Sequence, residues 1–473
     1  MPQLLIFKLQ WRHEFLRFGT PHAKNLWLIA GPTGLGDPFG KSVKDFHMNQ
    51  NALPAAASPQ VLKAKRASGV LRLTFGCAMA CFTLGAIQSA HAQAAAPAAP
   101  AAPAAPAAWA STIKYSGELD GGISGNFENP STGLNFGQST TDHANQATLN
   151  AVFLTVERDP DTSTSTFDWG FKIQGEYGSD VRYNRYLGEF NHQNARYMGY
   201  VSQAYVTAHV GGLFAGGFDV TAGQYVTPIG DEVIDPRVNP FYSHSYIYSY
   251  GLPVAHTGGY VVAHPAFADI YVGADSGVNT TIGSGGDNNG SASYLFGFGK
   301  TVGPVTVLAL AHVGPEDAHD NSHDRTYADA VITYKATSAL TLTTELDYVN
   351  DALYKATAYA GTEYASYVLN STTTLNGRVE IFDDEESFYV GNPLSNNVFT
   401  ASFLAAPNAA TGKGTTYGEL TAGVTYAPPG LPGPLSTLEV RPEVRYDDAL
   451  SGAAPFDGHK GQFTLAADLD LSF

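Results

Sequence analysis

The densest run of side chains capable of chemistry is LEVRPEVRYDD, residues 438–448, in which Glu439, Arg441, Glu443, Arg445 and Asp447 alternate with Leu438, Val440, Pro442, Val444 and Tyr446. A period of two puts all five ionisable groups on one face of a strand, where neighbours two apart are close enough to pair. Opposite charges alternating along one face have two uses: a charged wall that screens solutes in a water-filled lumen, or an ion-pair ladder that stiffens the wall. The spacing is compatible with both.

A second group lies in the stretch YVTPIGDEVIDPRVNPFYSHSYIYSYGLPVA, Tyr225 to Ala255, which offers Asp231, Glu232, Asp235, Arg237 and His244. A long connection rich in Pro and aromatics needs something to pack on. Folded inward it would constrict a channel and present those five residues to it; folded outward it would be a lid on neighbouring loops. Ser243 and His244 beside Asp235 also suggest a membrane-bound hydrolase, but the sequence supplies no nucleophile oriented by a base. PEDAHDNSHD at 315–324 and DDEE at 383–386 carry enough carboxylate and imidazole for a divalent ion, yet read more simply as solvated loops. The glycine-rich GSGGDNNG at 283–290 lacks the strand-to-helix setting of a phosphate cradle. No motif calls for a cofactor or a metal.

The elements that position these groups are strands. In FDWGFKIQGEY, Phe167, Trp169, Phe171, Ile173 and Tyr177 share one face, while Asp168, Lys172, Gln174 and Glu176 share the other. LTLTTELDY at 340–348 repeats the pattern, and FTLAADLDLSF at 463–473 carries an apolar side chain at every second position through Leu469, Leu471 and Phe473. Such segments number sixteen between residues 112 and 473, with fourteen and eighteen as the neighbouring even counts. Connections alternate long and short. The expected tight turns include Gly211-Gly212 and Pro265.

Loops sorted by length onto two rims, an even strand count and charged inward faces describe an all-β, transmembrane, antiparallel up-and-down barrel. Closure leaves no edge, as lipid requires. Leu469, Leu471 and Phe473 would then form the membrane-assembly signal of the closing strand.

The 473 residues hold 26 Lys and Arg against 43 Asp and Glu, a balance that disfavours nucleic acid as a partner. Residues 62–92 begin with Lys63, Lys65 and Arg66, run apolar from Val70 to Ile87 and end in Ala90-His91-Ala92, the form of a secretory signal cleaved before Gln93. Cys81, within Ala78-Met79-Ala80-Cys81, gives a lipoprotein reading as the alternative. The organisation expected is a start-site artefact over 1–47, a signal peptide over 48–92, an Ala/Pro-rich periplasmic spacer over 93–111 and the barrel over 112–473. Both cysteines, Cys77 and Cys81, fall in the signal. Removing residues 1–92 takes away 10 basic and 3 acidic residues and leaves 16 against 40, a net charge of −24.

The runs Thr227-Pro228-Ile229-Gly230-Asp231-Glu232-Val233-Ile234, Asn239-Pro240-Phe241-Tyr242-Ser243-His244-Ser245 and Pro253-Val254-Ala255-His256-Thr257-Gly258 resemble the β-barrel porin-2 (OmpL-like) family of bacterial outer membranes. So do Arg441-x-Glu443-x-Arg445-x-Asp447 and the terminal strand. The resemblance implies a porin-like channel in the outer membrane for small hydrophilic solutes or ions. Asp231 and the Val254-Ala255 pair depart from the family's usual residues there. Expected partners are outer-membrane lipid and lipopolysaccharide, the barrel-assembly machinery and the permeating solutes; homo-oligomer and monomer both remain open. Three carboxylates against Arg237 in the loop favour a modest cation preference, which Arg378, Arg441, Arg445 and Lys172 oppose. A plugged barrel serving as adhesin or anchor is the remaining alternative.

Overall fold

The computed structural model describes residues 109–473 apart from 164–165, 191–194, 284, 391–412 and 453. The proposed start-site segment, signal and all but the last residues of the spacer lie outside that range. The end of the spacer is a 3-10 turn, Trp109–Thr112, whose Trp109 ring sits 4.5 Å from that of Trp169.

Sixteen antiparallel strands close into one barrel. They are β1 (Lys114–Asn126), β2 (Gln146–Arg158), β3 (Phe167–Gly178), β4 (Met198–Val210), β5 (Phe218–Val226), β6 (Ala255–Ala263), β7 (Asp269–Val278) and β8 (Ser293–Val302). They continue as β9 (Val305–Gly314), β10 (Arg325–Lys335), β11 (Leu340–Asp351), β12 (Ala356–Asn370), β13 (Thr373–Asp384), β14 (Thr415–Tyr426), β15 (Thr437–Ala449) and β16 (Gly461–Ser472). Every segment expected from the alternation is a strand. No helix among the described residues is long and apolar enough to cross a membrane; the strands do the crossing.

The pleat sorts the side chains. In β16, Gln462, Thr464, Asp468 and Asp470 are buried inside, while Phe463, Leu465 and Leu469 are exposed on the outer face. Exposed Leu, Ile, Val and Phe repeat around the barrel as a belt that needs lipid to cover it. Aromatic residues bound the belt on both rims: Tyr334, Tyr367, Tyr426 and Phe473 toward the short turns, Tyr177, Tyr294, Tyr359 and Phe463 toward the long loops. This is the amphipathic ring position at a membrane interface.

The barrel shuts where β1 pairs with β16, from Glu118 opposite Ser472 to Asn126 opposite Thr464. Phe473 extends the ladder by one step, its N–H donating to Gly117 O at 3.0 Å and its carbonyl accepting from Gly117 N at 2.9 Å. The Phe473 ring lies over Gly117 so closely that a Cβ there would stand 2.2 Å from Cζ. Glycine at 117 is therefore the seat of the final aromatic ring.

Two connections differ from the sequence expectation. The β4–β5 turn runs over residues 211–217 and the β6–β7 turn over 264–268, so neither is the tight pair or single Pro predicted. The apolar Leu213-Phe214 pair prolongs the alternation on paper, but Gly217 N donates to Phe214 O (3.1 Å) and the chain turns there, leaving Leu213 exposed.

Leu465 faces outward in the middle of β16, so Leu465→Arg is expected to cost about 2–4 kcal/mol at mid-membrane and to lower the fraction of folded barrel. Deleting Phe473 removes both hydrogen bonds to Gly117 and should act the same way. Heat-modifiable migration on gels reads both; wild-type yields of the folded band would contradict the lipid-facing assignment.

Candidate channel constriction

Residues 227–254, between β5 and β6, turn into the barrel and cross to the wall formed by β13–β15, eight positions away in a ring of sixteen. The departure is built by proline and glycine. Gly230 takes φ +94, open mainly to glycine, and a Cβ there would meet Leu252 at 2.3 Å. Asn239 clasps the next bend as a strand neighbour would, accepting from Val233 N (3.0 Å) and donating to Val233 O (2.6 Å). Beyond it Ile247–Gly251 forms a π-helical turn.

Irregular backbone in such a place needs partners for each N–H and C=O. Carboxylates take the amides in pairs. Glu443 accepts from Tyr242 N (2.9 Å) and Ser243 N (3.2 Å), and Glu380 from Tyr246 N (2.7 Å) and Ile247 N (2.8 Å). Glu345 on β11 accepts from Asp231 N at 3.0 Å. Arginines take the carbonyls: Arg441 donates to Pro236 O and Asn239 O, Arg378 to Ser243 O, and Arg445 to His244 O. Asn376 donates to Pro240 O at 3.1 Å.

The ladder on β15 thus meets the loop mainly through loop backbone: of the ten predicted residues, Arg445 and His244 are joined directly, at the His244 carbonyl. Arg441, Glu443, Arg445 and Asp447 are at most 3% exposed, so they seat the loop rather than face open water. Glu439, nearer the short-turn rim, is half-buried. Pairing two apart along the strand occurs at one step, Arg445 to Asp447 at 2.7 Å. Arg441 turns instead to Asp468 on β16, and Glu443 to the loop amides. The alternation places opposite charges side by side, but each group goes to the partner its depth in the barrel offers.

The loop's own charges are also committed. Glu232 is fully inside, 2.7 Å from Arg378 Nη1 and 2.6 Å from His244 Nδ1, and Tyr364 Oη donates to it at 3.0 Å. Burial alone would raise its pKa, but Arg378 and His244 hold the carboxylate down at about 2. Asp235 pairs with Arg237, which also reaches Glu118 on β1 at 2.8 Å. Asp231 has no such cation, and burial together with Glu232 pushes it up to about 6. His244 stacks on Tyr248 with ring centroids 3.8 Å apart. Ser243 Oγ is 3.4 Å from Arg378 Nη2, His244 faces Glu232 and Asp235 faces Arg237, so the three do not form a nucleophile–base–acid relay.

Around the loop lies an apolar cluster in which Ile229, Tyr246, Ile247, Tyr250 and Leu252 pack with wall residues such as Val278, Leu295, Leu310, Tyr327, Phe382 and Tyr417. The sequence reading missed this second contribution to the seat. Tyr327, Phe382 and Tyr417 stand on inward faces among polar neighbours, and an inward aromatic in a polar alternation was the available signal. It also missed Glu118, Glu345, Tyr364, Glu380 and Glu419, whose roles depend on strands distant in sequence.

The other candidate loops are more structured than expected. Glu316 is buried, accepting from Val278 N (2.7 Å) and Ser293 Oγ (2.9 Å), and Asp317 pairs with Arg325 at 3.0 Å. The rest of 315–324 lies toward the surface, with His319 and His323 exposed and Asp320 half-buried. Asp384 in the DDEE run accepts from Phe388, Tyr389 and Val390 N–H, ordering its own turn.

Arg378→Met would leave Glu232 and Glu419 buried without their cation, a loss of about 3–5 kcal/mol. It should release the loop, read as new chymotrypsin cleavage between Tyr246 and Tyr250 in the folded barrel; an unchanged digest would mean the loop is held elsewhere. The depressed Glu232 pKa contributes stability above its unfolded value of about 4.3 that is lost as pH falls through about 2. The loop should therefore stay protected from pH 7 down to about 4.5 and loosen only below.

The chain is similar to several solved barrels. OmpT of Vibrio cholerae, folded in vitro and in trimer form, aligns at 12% identity and TM-score 0.45 over 76% of this chain and 99% of that one. The outer membrane channel DcaP of Acinetobacter baumannii aligns at 13% identity and TM-score 0.47, covering 76% and 97%. An anion-selective porin from Comamonas acidovorans aligns at 11% identity and TM-score 0.44, covering 76% and 99%. No curated protein matches the sequence. The model of one family matches residues 112–473, the whole of the barrel, and the chain belongs to that family: putative beta-barrel porin-2, OmpL-like.

Proposed function

We propose that the protein is a passive outer-membrane channel for small hydrophilic solutes or ions, with residues 227–254 as its constriction and a modest preference for cations. The observation that carries this reading is the seating of the loop across the lumen. A segment fastened to the far wall by Glu443, Glu380 and three arginines is a fixed narrowing, and it favours small permeants.

The cation preference rests on the wall beside the loop rather than on the loop tip. Glu232 and Asp235 are neutralised by Arg378 and Arg237, and the opposing Arg441 and Arg445 by Asp468 and Asp447. On the other side, Asp329 and Asp347 have no arginine or lysine paired with them among the described residues. They share their wall with Glu345, which accepts from the Asp231 amide. Carboxylates clustered in a low-dielectric wall keep their charge only when a cation joins them, so this wall favours a permeating cation over an anion. A plugged anchor would use the same seat but pass no current.

Planar-bilayer recording separates these readings. A small, steady single-channel conductance is expected, with a reversal potential under a salt gradient that favours the cation and a preference that shrinks at high salt. Asp231→Asn with Asp329→Asn should reduce that preference while leaving the loop seated. Because Asp231 loses its charge below about 6, selectivity should also fall as pH drops through that value. Anion preference would overturn the selectivity claim, and absence of current the channel claim.

A further inference from the structure

At the long-loop ends of β6, β7 and β9, away from the arginine ladder, three inward side chains converge: His256, Asp275 and His312, each essentially buried. Asp275 Oδ2 lies 3.4 Å from His256 Nδ1 and 3.1 Å from His312 Nε2. A tetrahedral site with metal–ligand bonds of about 2.0–2.2 Å has edges of about 3.3–3.6 Å, so two edges are already close to the required length. The third closes with a small movement, since all candidate ligand atoms lie within 4.8 Å of one another and the imidazole centroids are 4.6 Å apart.

His256 Nε2 has no hydrogen-bond partner, and the nearest acceptors to His256 Nδ1 and His312 Nδ1 are carboxylates at 3.4 and 3.7 Å, outside good hydrogen-bond geometry, although both residues are at most 1% exposed. A buried imidazole with one nitrogen unpartnered and another held only loosely is costly unless something else binds there. The surroundings resemble an outer shell. Glu316 Oε1 stands 3.7 Å from His312 Nδ1, held in place by Val278 N and Ser293 Oγ, and the ring of Tyr225 lies 5.6 Å from that of His256. A carboxylate behind a ligating histidine fixes its tautomer and orientation.

A second His–Asp group toward the short-turn rim provides the contrast. There His264 has both nitrogens engaged, Nδ1 by Asp269 at 2.7 Å and Nε2 by Asp219 at 3.1 Å. That group is already satisfied without an ion.

We propose that His256, Asp275 and His312 form a binding site for a divalent cation of the zinc class, which clamps β6, β7 and β9 together where the constriction loop rejoins the barrel. Two imidazoles and one carboxylate suit zinc rather than calcium or magnesium, which require oxygen ligands. The site adjoins the loop's return: Ala255 O, one residue before His256, accepts from Asn279 N at 2.8 Å. A bound ion would stiffen that hinge. The proposal concerns metal binding alone and stands or falls independently of conduction.

The test uses the full chain purified from membranes, stripped with chelator and titrated with zinc chloride, with calcium chloride in parallel. About one equivalent of zinc should remain after gel filtration and raise the midpoint of thermal unfolding, while calcium does neither. His312→Gln should weaken zinc retention at least tenfold, and His264→Gln should leave it unchanged, heat-modifiable migration confirming that each variant folds. If His312→Gln does not fold, cobalt(II) added to the wild-type chain gives the second reading: intense visible bands of a four-coordinate ion are expected. Zinc kept equally by the folded His312→Gln variant, no zinc retained by wild type, or a cobalt spectrum of the free aquo ion would each overturn the site.

Discussion

An irregular segment of backbone buried inside a barrel must find a partner for its amides and carbonyls, and the rest of this structure is arranged around that demand. Residues 227–254 have no sheet to join. The inner wall supplies the ladder instead: glutamates that each accept two successive amides, and arginines that donate to the carbonyls between them. A charged side chain suits this task because its hydrogen bonds are stronger than neutral ones. It must itself be neutralised, so Arg441 pairs with Asp468 on β16, Arg445 with Asp447 on β15 itself, and Arg378 on β13 with Glu419 on β14.

This arrangement separates two uses of charge that a sequence cannot distinguish. The arginines and most of the glutamates near the loop are occupied in holding it, so they contribute little net field to the lumen. The acids on β10 and β11 have no arginine or lysine paired with them, and in the proposed channel they are the groups left for a permeating cation to meet. A strongly acidic chain can therefore have an almost neutral seat for its constriction and an acidic wall beside it, and the balance is set by position rather than by composition.

The outside of the barrel follows a different constraint. Every second side chain must suit lipid while every backbone group is paired, and closure of β1 on β16 meets both demands. Gly117 leaves room for the ring of Phe473, so the last step of the ladder is also an aromatic contact at the rim. The closing strand is thus fastened at its final residue.

The sixteen strands, the two rims and the inward placement of Arg441, Glu443, Arg445 and Asp447 were legible in the sequence because a period of two converts directly into two faces, and membrane closure admits few alternatives. The turns around 211–217 and 264–268 were less so, since apolar residues in a turn mimic the next strand. The resemblance of the loop to a family was readable, and so were its candidate charges. Which of those charges meet was not: Glu232 with Arg378, Arg237 with Glu118 and Tyr242 with Glu443 join residues from 119 to 201 positions apart. Nothing local links His256, Asp275 and His312 either, because three separate strands bring them together. Sequence by itself determined the alternation, and with it the barrel and the side of the wall each residue occupies. Register and closure, which fix the height and angle at which those residues stand, decided who pairs with whom, and only the tertiary structure contains them.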